Sequence, residues 1–359
     1  MATHYGKNID IEIYGGSHDE KIGVIIKGLP KGFVVDNEKL LSFMARRAPG
    51  SSSLSTARKE LDTPVFIEGV ENDTVVGDTV HAVIYNTNQH SSDYSNLAFV
   101  PRPSHADFAA KMKYGDKVDL RGGGHFSGRL TAPMCIAGGI CLQILEKKGI
   151  RVGAHLYSVG NEFDKAFDPV CVSCADFDII SNNELPVLSA AAGEKMKLEI
   201  ASAKADGDSV GAVIECAITG LKAGLGEHIF DGVEGRISQI VFGIPAVKGI
   251  EFGNGFDCAR MRGSQNNDAF YTDGKNIYTK TNNCGGILGG ITNGMPLIFR
   301  AAMKPTPSIF TEQDSVDMNT MTNVKLSVKG RHDPCVALRA VPVFEAAAAI
   351  AVYDMMLDK

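Results

Sequence analysis

The sequence predicts an α/β fold built as one unit over residues 1–359. Three observations predict it. Strand-like and helix-like segments interleave through both halves of the chain. No low-complexity linker separates two domains. One segment, residues 130–148, is apolar nearly all round, which marks a helix buried in a core rather than lying on a surface.

The elements follow in order. Residues 22–27 (IGVIIK) are β-rich and end at Gly28-Leu29-Pro30, a turn signal. Asn37 is placed to cap a helix carrying Leu40, Leu41, Phe43 and Met44, which stops at Pro49-Gly50. Residues 81–85 (HAVIY) read as a strand. The buried helix 130–148 ends with Lys147 and Lys148, which suit its C-terminal dipole, and then Gly149. Asn183 to Lys204 reads as another helix, and 210–218 (VGAVIECAI) as a strand. Residues 233–242 are helix-like and 246–252 strand-like. Residues 343–357 (VFEAAAAIAVYDMML) make a last, alanine-rich helix. Residues 305–330 are polar and Pro/Thr-rich and read as a long loop, a feature that is often functional.

Composition narrows the class. The chain is 44% hydrophobic and 22% charged, as in ordinary soluble globular proteins. A net charge of −6 argues against a nucleic-acid binder. It leaves a small anionic substrate open, because a local basic pocket is sufficient for one. Of eight cysteines only Cys171 and Cys174 form a C-x-x-C pair. No second pair completes a zinc site, so no metal is expected and the pair reads as two unrelated thiols in a loop. Length and cysteine scatter fit a reducing cytosol. The N-terminal MATHYGKNIDIEIYGG lacks the pattern of a secretory signal, and no uninterrupted apolar run reaches membrane-spanning length.

Chemistry concentrates in residues 102–133. Arg102, His105 and Asp107 come together there, followed by a turn at Tyr114-Gly115, then Arg121 and Gly122 to Gly124. An apolar helical run starts after Thr131. Glycines ahead of a helix let backbone N–H groups approach an anion, and the helix N-terminus favours negative charge. His105 and His125 can change charge near neutral pH. The segment thus offers an anion cradle, fixed positive charge and proton-transfer groups.

The rest of the chain sharpens this. GGSHDEKIGVIIKGLPKG at 15–32, ARRAPGSSSLSTARKELD at 45–62, NTNQHSSDY at 86–94 and RPSHAD at 102–107 resemble the signature blocks of the chorismate synthase family. So do RGGGHFSGR at 121–129, GDSVGA at 207–212 and IPAVKGIEFGNGF at 244–256. RGSQNND at 262–268, CGGILGGITNG at 284–294, AMKPTPSI at 302–309 and GRHDPCVALRAVPVFEA at 330–346 complete the series. The blocks keep the family's order from about residue 8 to residue 357.

The resemblance implies a single-domain β-α-β sandwich with antiparallel sheets and internal pseudo-symmetry. It implies elimination of phosphate from 5-enolpyruvylshikimate 3-phosphate to give chorismate, with reduced FMN as cofactor and a homotetramer as assembly. Some members of the family reduce their own flavin with NADPH, and no added reductase module is visible here. His18, His105 and Asp333 fall at catalytic positions. By resemblance, His18 protonates the leaving phosphate, His105 stabilises the reduced flavin, and Asp333 takes a proton through flavin N5. The carboxylate of Asp333, beside Arg331 and His332, also reads as a structural ion pair. Arg47, Arg129 and Arg339 fall at substrate positions. Flavin positions map onto His125, Phe126, Ser127, Ala246, Gly289, Lys304, Pro305, Thr306, Pro307, Ser308 and Arg331.

Four departures stand out. Arginines usual in the family are Ala48, Ser53, His90 and His125 here. Each removes permanent charge near a polyanionic ligand or its flavin. A non-catalytic paralogue that binds flavin or a phosphorylated metabolite is therefore the alternative reading. Retention of His18, His105 and Asp333 weighs against it.

Overall fold

Alternation along the strand Lys21–Lys27 sets the first layer: Ile22, Val24 and Ile26 are fully buried on one face. This strand is central to a five-stranded antiparallel sheet. Its spatial order is Ala2–Tyr5, Asp10–Tyr14, Lys21–Lys27, Thr79–Tyr85, Val65–Glu68. The register pairs Val24 with Ala82 and with Ile13. A second antiparallel sheet runs Val247–Phe252, Leu297–Met303, Ala212–Thr219, Arg151–Val159, Glu162–Phe163. The computed structural model describes residues 1–50, 54, 60–86, 99–328 and 332–358. Ser53, His90 and Arg331 lie outside the described residues, as does most of the NTNQHSSDY block.

Among the described residues eight α-helices accompany the sheets: α1 (Asn37–Arg47), α2 (Asp107–Tyr114), α3 (Thr131–Glu146), α4 (Cys174–Asn182), α5 (Ala190–Ala205), α6 (Val233–Phe242), α7 (Gly263–Asn266) and α8 (Ala337–Met356). Helices α3 and α8 fill the space between the sheets. α3 packs on the strands Lys21–Lys27 and Thr79–Tyr85, α8 on Arg151–Val159 and Ala212–Thr219, and the two pack on each other. One continuous apolar core joins both helices to both sheets. Gly138 permits the helix contact, since a Cβ there would lie 2.3 Å from that of Ala346. The mean hydropathy of Gly128–Glu146 is high enough for a membrane span, but 89% of that window is buried inside the fold. It is a core helix, as its all-round apolar pattern predicts. The expected β-α-β sandwich with antiparallel sheets is what forms.

Boundaries differ where local signals compete. The cap of α1 is Asp36, whose Oδ1 accepts from Lys39 N–H at 3.0 Å, and Asn37 is the first helical residue. The helix expected over Asn183–Lys204 begins at Ala190, behind the cap Ser189. Pro186 breaks the earlier stretch, and the amides of Leu188 and Ser189 bind the Asp164 carboxylate instead. The last helix starts at Ala337 rather than Val343, with Pro342 inside it. Burial of that helix between the sheets outweighs one lost backbone hydrogen bond. The expected loop 305–330 holds a hairpin, Gln313–Asp317 with Thr322–Leu326. Cys171 and Cys174 are both free and exposed; Cys171 lies in a loop and Cys174 opens α4.

The second sheet is pinned by a buried charge network. His155 Nδ1 lies 3.2 Å from Asp164 Oδ2, and its Nε2 lies 2.9 Å from Glu215 Oε2. Carboxylates only accept, so both ring nitrogens carry protons. Burial works against that charge, but the two carboxylates outweigh it and raise the His155 pKa. Burial likewise opposes ionisation of Asp164 and Glu215, yet His155 holds both below the usual carboxylate range. The imidazolium therefore stabilises the fold fully below the ordinary imidazole pKa, and that contribution is lost as pH rises through the raised value. The two carboxylates lose theirs on the acid side. His155→Gln should cost about 3–5 kcal/mol near neutral pH, the usual result of removing one partner of a buried pair. The difference in Tm from wild type should shrink as pH is taken from neutral up through the raised His155 pKa and wild type loses its own proton. A constant difference across that range would mean a neutral His155.

Candidate active site

The turn 102–107 is built around a carboxylate. Asp107, the first residue of α2, accepts from Arg102 Nε and Nη2 at 2.7 Å each and from the Arg102 backbone N–H at 3.0 Å. His105 Nδ1 lies 2.6 Å from the same carboxylate. Ser104 bends the chain back with a left-handed φ of 59°, and its carbonyl accepts from Lys304 Nζ at 2.8 Å. Burial alone would raise the Asp107 pKa, but hydrogen bonds from Arg102 and His105 hold it well below the usual range.

The glycine turn follows. Gly122, Gly123 and Gly124 all have positive φ. A Cβ on Gly124 would lie 1.9 Å from the Asp119 carbonyl, so only glycine fits. Ser17 N–H donates to Gly124 O at 3.1 Å and Ser17 Oγ to Arg121 O at 3.1 Å, which ties the first signature loop to this turn. His125 Nδ1 lies 2.8 Å from Gly15 O and donates to it.

Three arginines gather at the start of α3. Arg47 ends α1, Arg129 precedes α3, and Arg339 lies in the first turn of α8. Arg47 Nη1 donates to Asp62 Oδ2 at 2.5 Å, Nη2 to Gly128 O at 2.9 Å, and Nε to Thr131 Oγ1 at 3.2 Å. Arg129 also bonds Asp62, reaches Asn86 Oδ1 at 3.0 Å, and lies 3.6 Å from Glu60. Arg339 donates to Asp333 Oδ2 at 2.7 Å and to Arg47 O at 3.1 Å. Burial pushes the Asp62 carboxyl up, but Arg47 and Arg129 together hold it below its ordinary range.

These groups surround one cavity of about 910 Å³. Arg47, Arg129, Arg339, His105 and Asp333 all line it. So do His125, Phe126, Ser127, Ala246, Lys304, Thr306, Pro307 and Ser308. Lys304 lies low in its titration range, chiefly through burial and further through Lys248. His18 is not on the wall itself. Its ring lies against Gly122, which is, and its Nδ1 is 3.2 Å from Ser17 Oγ. Gly289 sits in the hairpin turn between Ile287–Leu288 and Ile291–Thr292 and does not line the cavity; nor does Pro305, between two residues that do.

Sequence reading missed Asp62 and Glu60 as parts of the site. The signal was present in KELD at 59–62, two acids two residues apart shortly after the arginine-rich helix end. It also did not foresee that Arg339 is an ion-pair partner of Asp333. A further contributor is His332, which burial and the Arg102 cation hold low in its titration range.

Cations, a carboxylate-held histidine and an acid around one cavity are the features of an enzyme acting on a small molecule. The comparisons with known proteins agree. The pattern of the family described as chorismate synthase matches residues 9–357. A chorismate synthase from Lancefieldella parvula is 43% identical, covering 99% of this chain and 96% of that protein. One from Dehalococcoides mccartyi is 41% identical over 99% and 97% of the two chains, and one from Korarchaeum cryptofilum 41% over 98% and 97%. A crystal structure of chorismate synthase aligns with a TM-score of 0.75 at 26% identity, covering 98% of this chain and 93% of that one. The chain belongs to the chorismate synthase family, carbon–oxygen lyases of the shikimate pathway that use a flavin.

The cavity fits such a group. Thr306 Oγ1 and His332 Nε2 are buried at its wall with no hydrogen-bond partner among the described residues. A ligand with polar atoms would satisfy both, and an unsatisfied buried polar atom is otherwise costly. Phe126, Met134 and Val343 give the same cavity apolar surface for a flat ring.

Proposed function

We propose that this chain eliminates phosphate from 5-enolpyruvylshikimate 3-phosphate to give chorismate, with reduced FMN bound in the cavity. The observation that carries the reading is the convergence of Arg47, Arg129, Arg339, His105 and Asp333 with the segment Lys304–Ser308 on one cavity. The substrate has two carboxylates and a phosphate, and guanidinium forks suit both groups. When bound, reduced flavin supplies reversible electron donation and a nitrogen able to take up the departing ring hydrogen.

The chain's own residues bind, orient and move protons. Lys304 and Thr306 offer a cation and a hydroxyl for the FMN phosphate, and His125 to Ser127 line its ring. His105, held by Asp107, stabilises the reduced ring. His18 protonates the leaving phosphate oxygen from beside Gly122. Asp333, oriented by Arg339, receives the ring proton. We further propose a single functional unit, a cytoplasmic location, and a homotetramer whose contacts cover exposed Phe230, Phe256 and Ile277, which are 93%, 81% and 70% accessible. NADPH is a candidate source of electrons for the flavin.

The test is anaerobic phosphate release with oxidised FMN, reduced FMN, no flavin, and a 5-deaza analogue that resists one-electron chemistry. Only reduced FMN should support turnover, and it should remain reduced after many cycles. Equal release without flavin would sink the reading. Substrate affinity should also weaken as salt rises, since accessible charges are screened over about 10 Å at 0.1 M ionic strength. Arg339→Ala should weaken binding more than Arg260→Ala, whose side chain is 83% exposed. An affinity flat with salt would argue against an arginine pocket.

A further inference from the structure

We propose that Asp107 is a positioning residue that fixes the ring tautomer of His105, so that Nε2 is the nitrogen presented to the cavity. The inference rests on the acid–base role proposed for His105. It adds which ring atom acts and what selects it.

Four nitrogens crowd around one carboxylate at this corner. Asp107 Oδ2 receives Arg102 Nε at 2.7 Å and the Arg102 backbone N–H at 3.0 Å. Oδ1 receives Arg102 Nη2 at 2.7 Å and lies 2.6 Å from His105 Nδ1. Arg102 Nη2 also lies 3.0 Å from His105 Nδ1. A guanidinium can only donate, and an ionised carboxylate can only accept. The arrangement is consistent when Nδ1 carries its proton and gives it to Oδ1. The contact between Arg102 Nη2 and Nδ1 is then two donors meeting at one oxygen. Asp107 is 2% exposed and α2 starts on it, so its carboxylate has little freedom to turn.

The other ring nitrogen is left for ligand. A Cβ on Gly123 would lie 3.4 Å from His105 Nε2, and His105 lines the cavity together with Gly122 of the same glycine turn. The charged or titratable groups facing the ring are Arg102, Asp107 and His332, with Lys304 on the Ser104 carbonyl. Arg102 Nη1 also donates to Ser308 Oγ at 3.3 Å. The same guanidinium therefore ties the histidine holder to the segment proposed to hold the FMN phosphate.

Asp107→Asn makes the idea testable. Arg102 supplies two donors at the Oδ2 position, so the amide oxygen should settle there. The amide NH2 then faces His105 Nδ1 and donates to it, which forces the proton onto Nε2. Full-length protein labelled with 15N-histidine, without flavin, reports the ring nitrogens at mildly alkaline pH. Signals of His105 are those lost in His105→Gln. Wild type should show a protonated Nδ1 and a bare Nε2, and Asp107→Asn the reverse. kcat should fall by about 10²–10⁴, the usual worth of a positioned acid–base group, with KM near wild type. Asp107→Glu, which keeps a carboxylate, should recover the wild-type tautomer and part of kcat. An unchanged tautomer in Asp107→Asn, or a bare Nδ1 in wild type, overturns the proposal. Should Asp107→Asn fail to fold, the wild-type ring spectrum alone decides it. If the tautomer behaves as stated while His105→Gln retains full turnover, the role of His105 fails and the holding by Asp107 stands.

Discussion

His18→Ala should leave a folded, flavin-binding protein whose turnover is cut by about 10²–10⁴. Phosphate is a poor leaving group until its oxygen gains a proton or a positive charge. The fold has reason to survive the change. Ser17 keeps its loop tied to the glycine turn through Gly124 O and Arg121 O without help from the imidazole. Gly122→Ala is the companion variant. Its Cβ would lie 2.2 Å from His18 Cε1, and φ at this position is +58°. The imidazole must move, although its chemistry is intact. Both variants should lose turnover with the substrate bound. Near-wild-type turnover in His18→Ala with an unchanged melting curve would make His18 a structural residue.

What was legible in the sequence followed from short-range physics. The core helix 131–146 showed in its all-round apolar pattern, and 233–242 in its period. RPSHAD announced a histidine two residues from a carboxylate, and that pair is the holder of His105. Errors came where two local signals competed, as at Asp36 against Asn37, or where tertiary burial carried a helix through Pro342. The charge balance of the site was not legible at all. Sequence showed the arginines as a basic pocket for a polyanion. In the fold, Arg47 and Arg129 share Asp62, Arg102 holds Asp107, and Arg339 holds Asp333. Those partners are 15, 67, 5 and 6 residues away, and the two longer pairs meet at Asp62 where the end of α1 packs beside the start of α3. The pocket is therefore closer to neutral than its arginines suggest. A ligand gains from Lys304, Lys248 and the orientation of forks already in place more than from bare excess charge. The same balance bears on Ala48 and His125, where family arginines are absent. Ala48 is buried at the end of α1, and His125 spends Nδ1 on Gly15 O.

Asp333→Asn should bind flavin and substrate but lose turnover by about 10²–10⁴. The observation behind it is a carboxylate on the cavity wall that forms an ion pair with Arg339. That pair offers two explanations for the residue, and the substitution separates them. Asparagine keeps an oxygen for Arg339 Nη1 at nearly the same place, so the first turn of α8 keeps its anchor. Arg339 also retains its bond to Arg47 O at 3.1 Å. What disappears is the negative charge and with it the ability to accept a proton. A proton acceptor that is lost should lower kcat and kcat/KM together, because the interaction is made on the way to the transition state. A structural ion pair that is lost should instead show as a lower Tm and weaker ligand binding, since a part-buried arginine loses its partner. Arg339→Lys adds the reverse case. It keeps a cation near Asp333 but gives up the planar fork, so binding should suffer before chemistry does. Tm, substrate Kd, and single-turnover phosphate release on the three proteins distinguish the outcomes. If Asp333→Asn melts early and its residual folded fraction turns over normally, the carboxylate serves the fold and the ring proton leaves by another route.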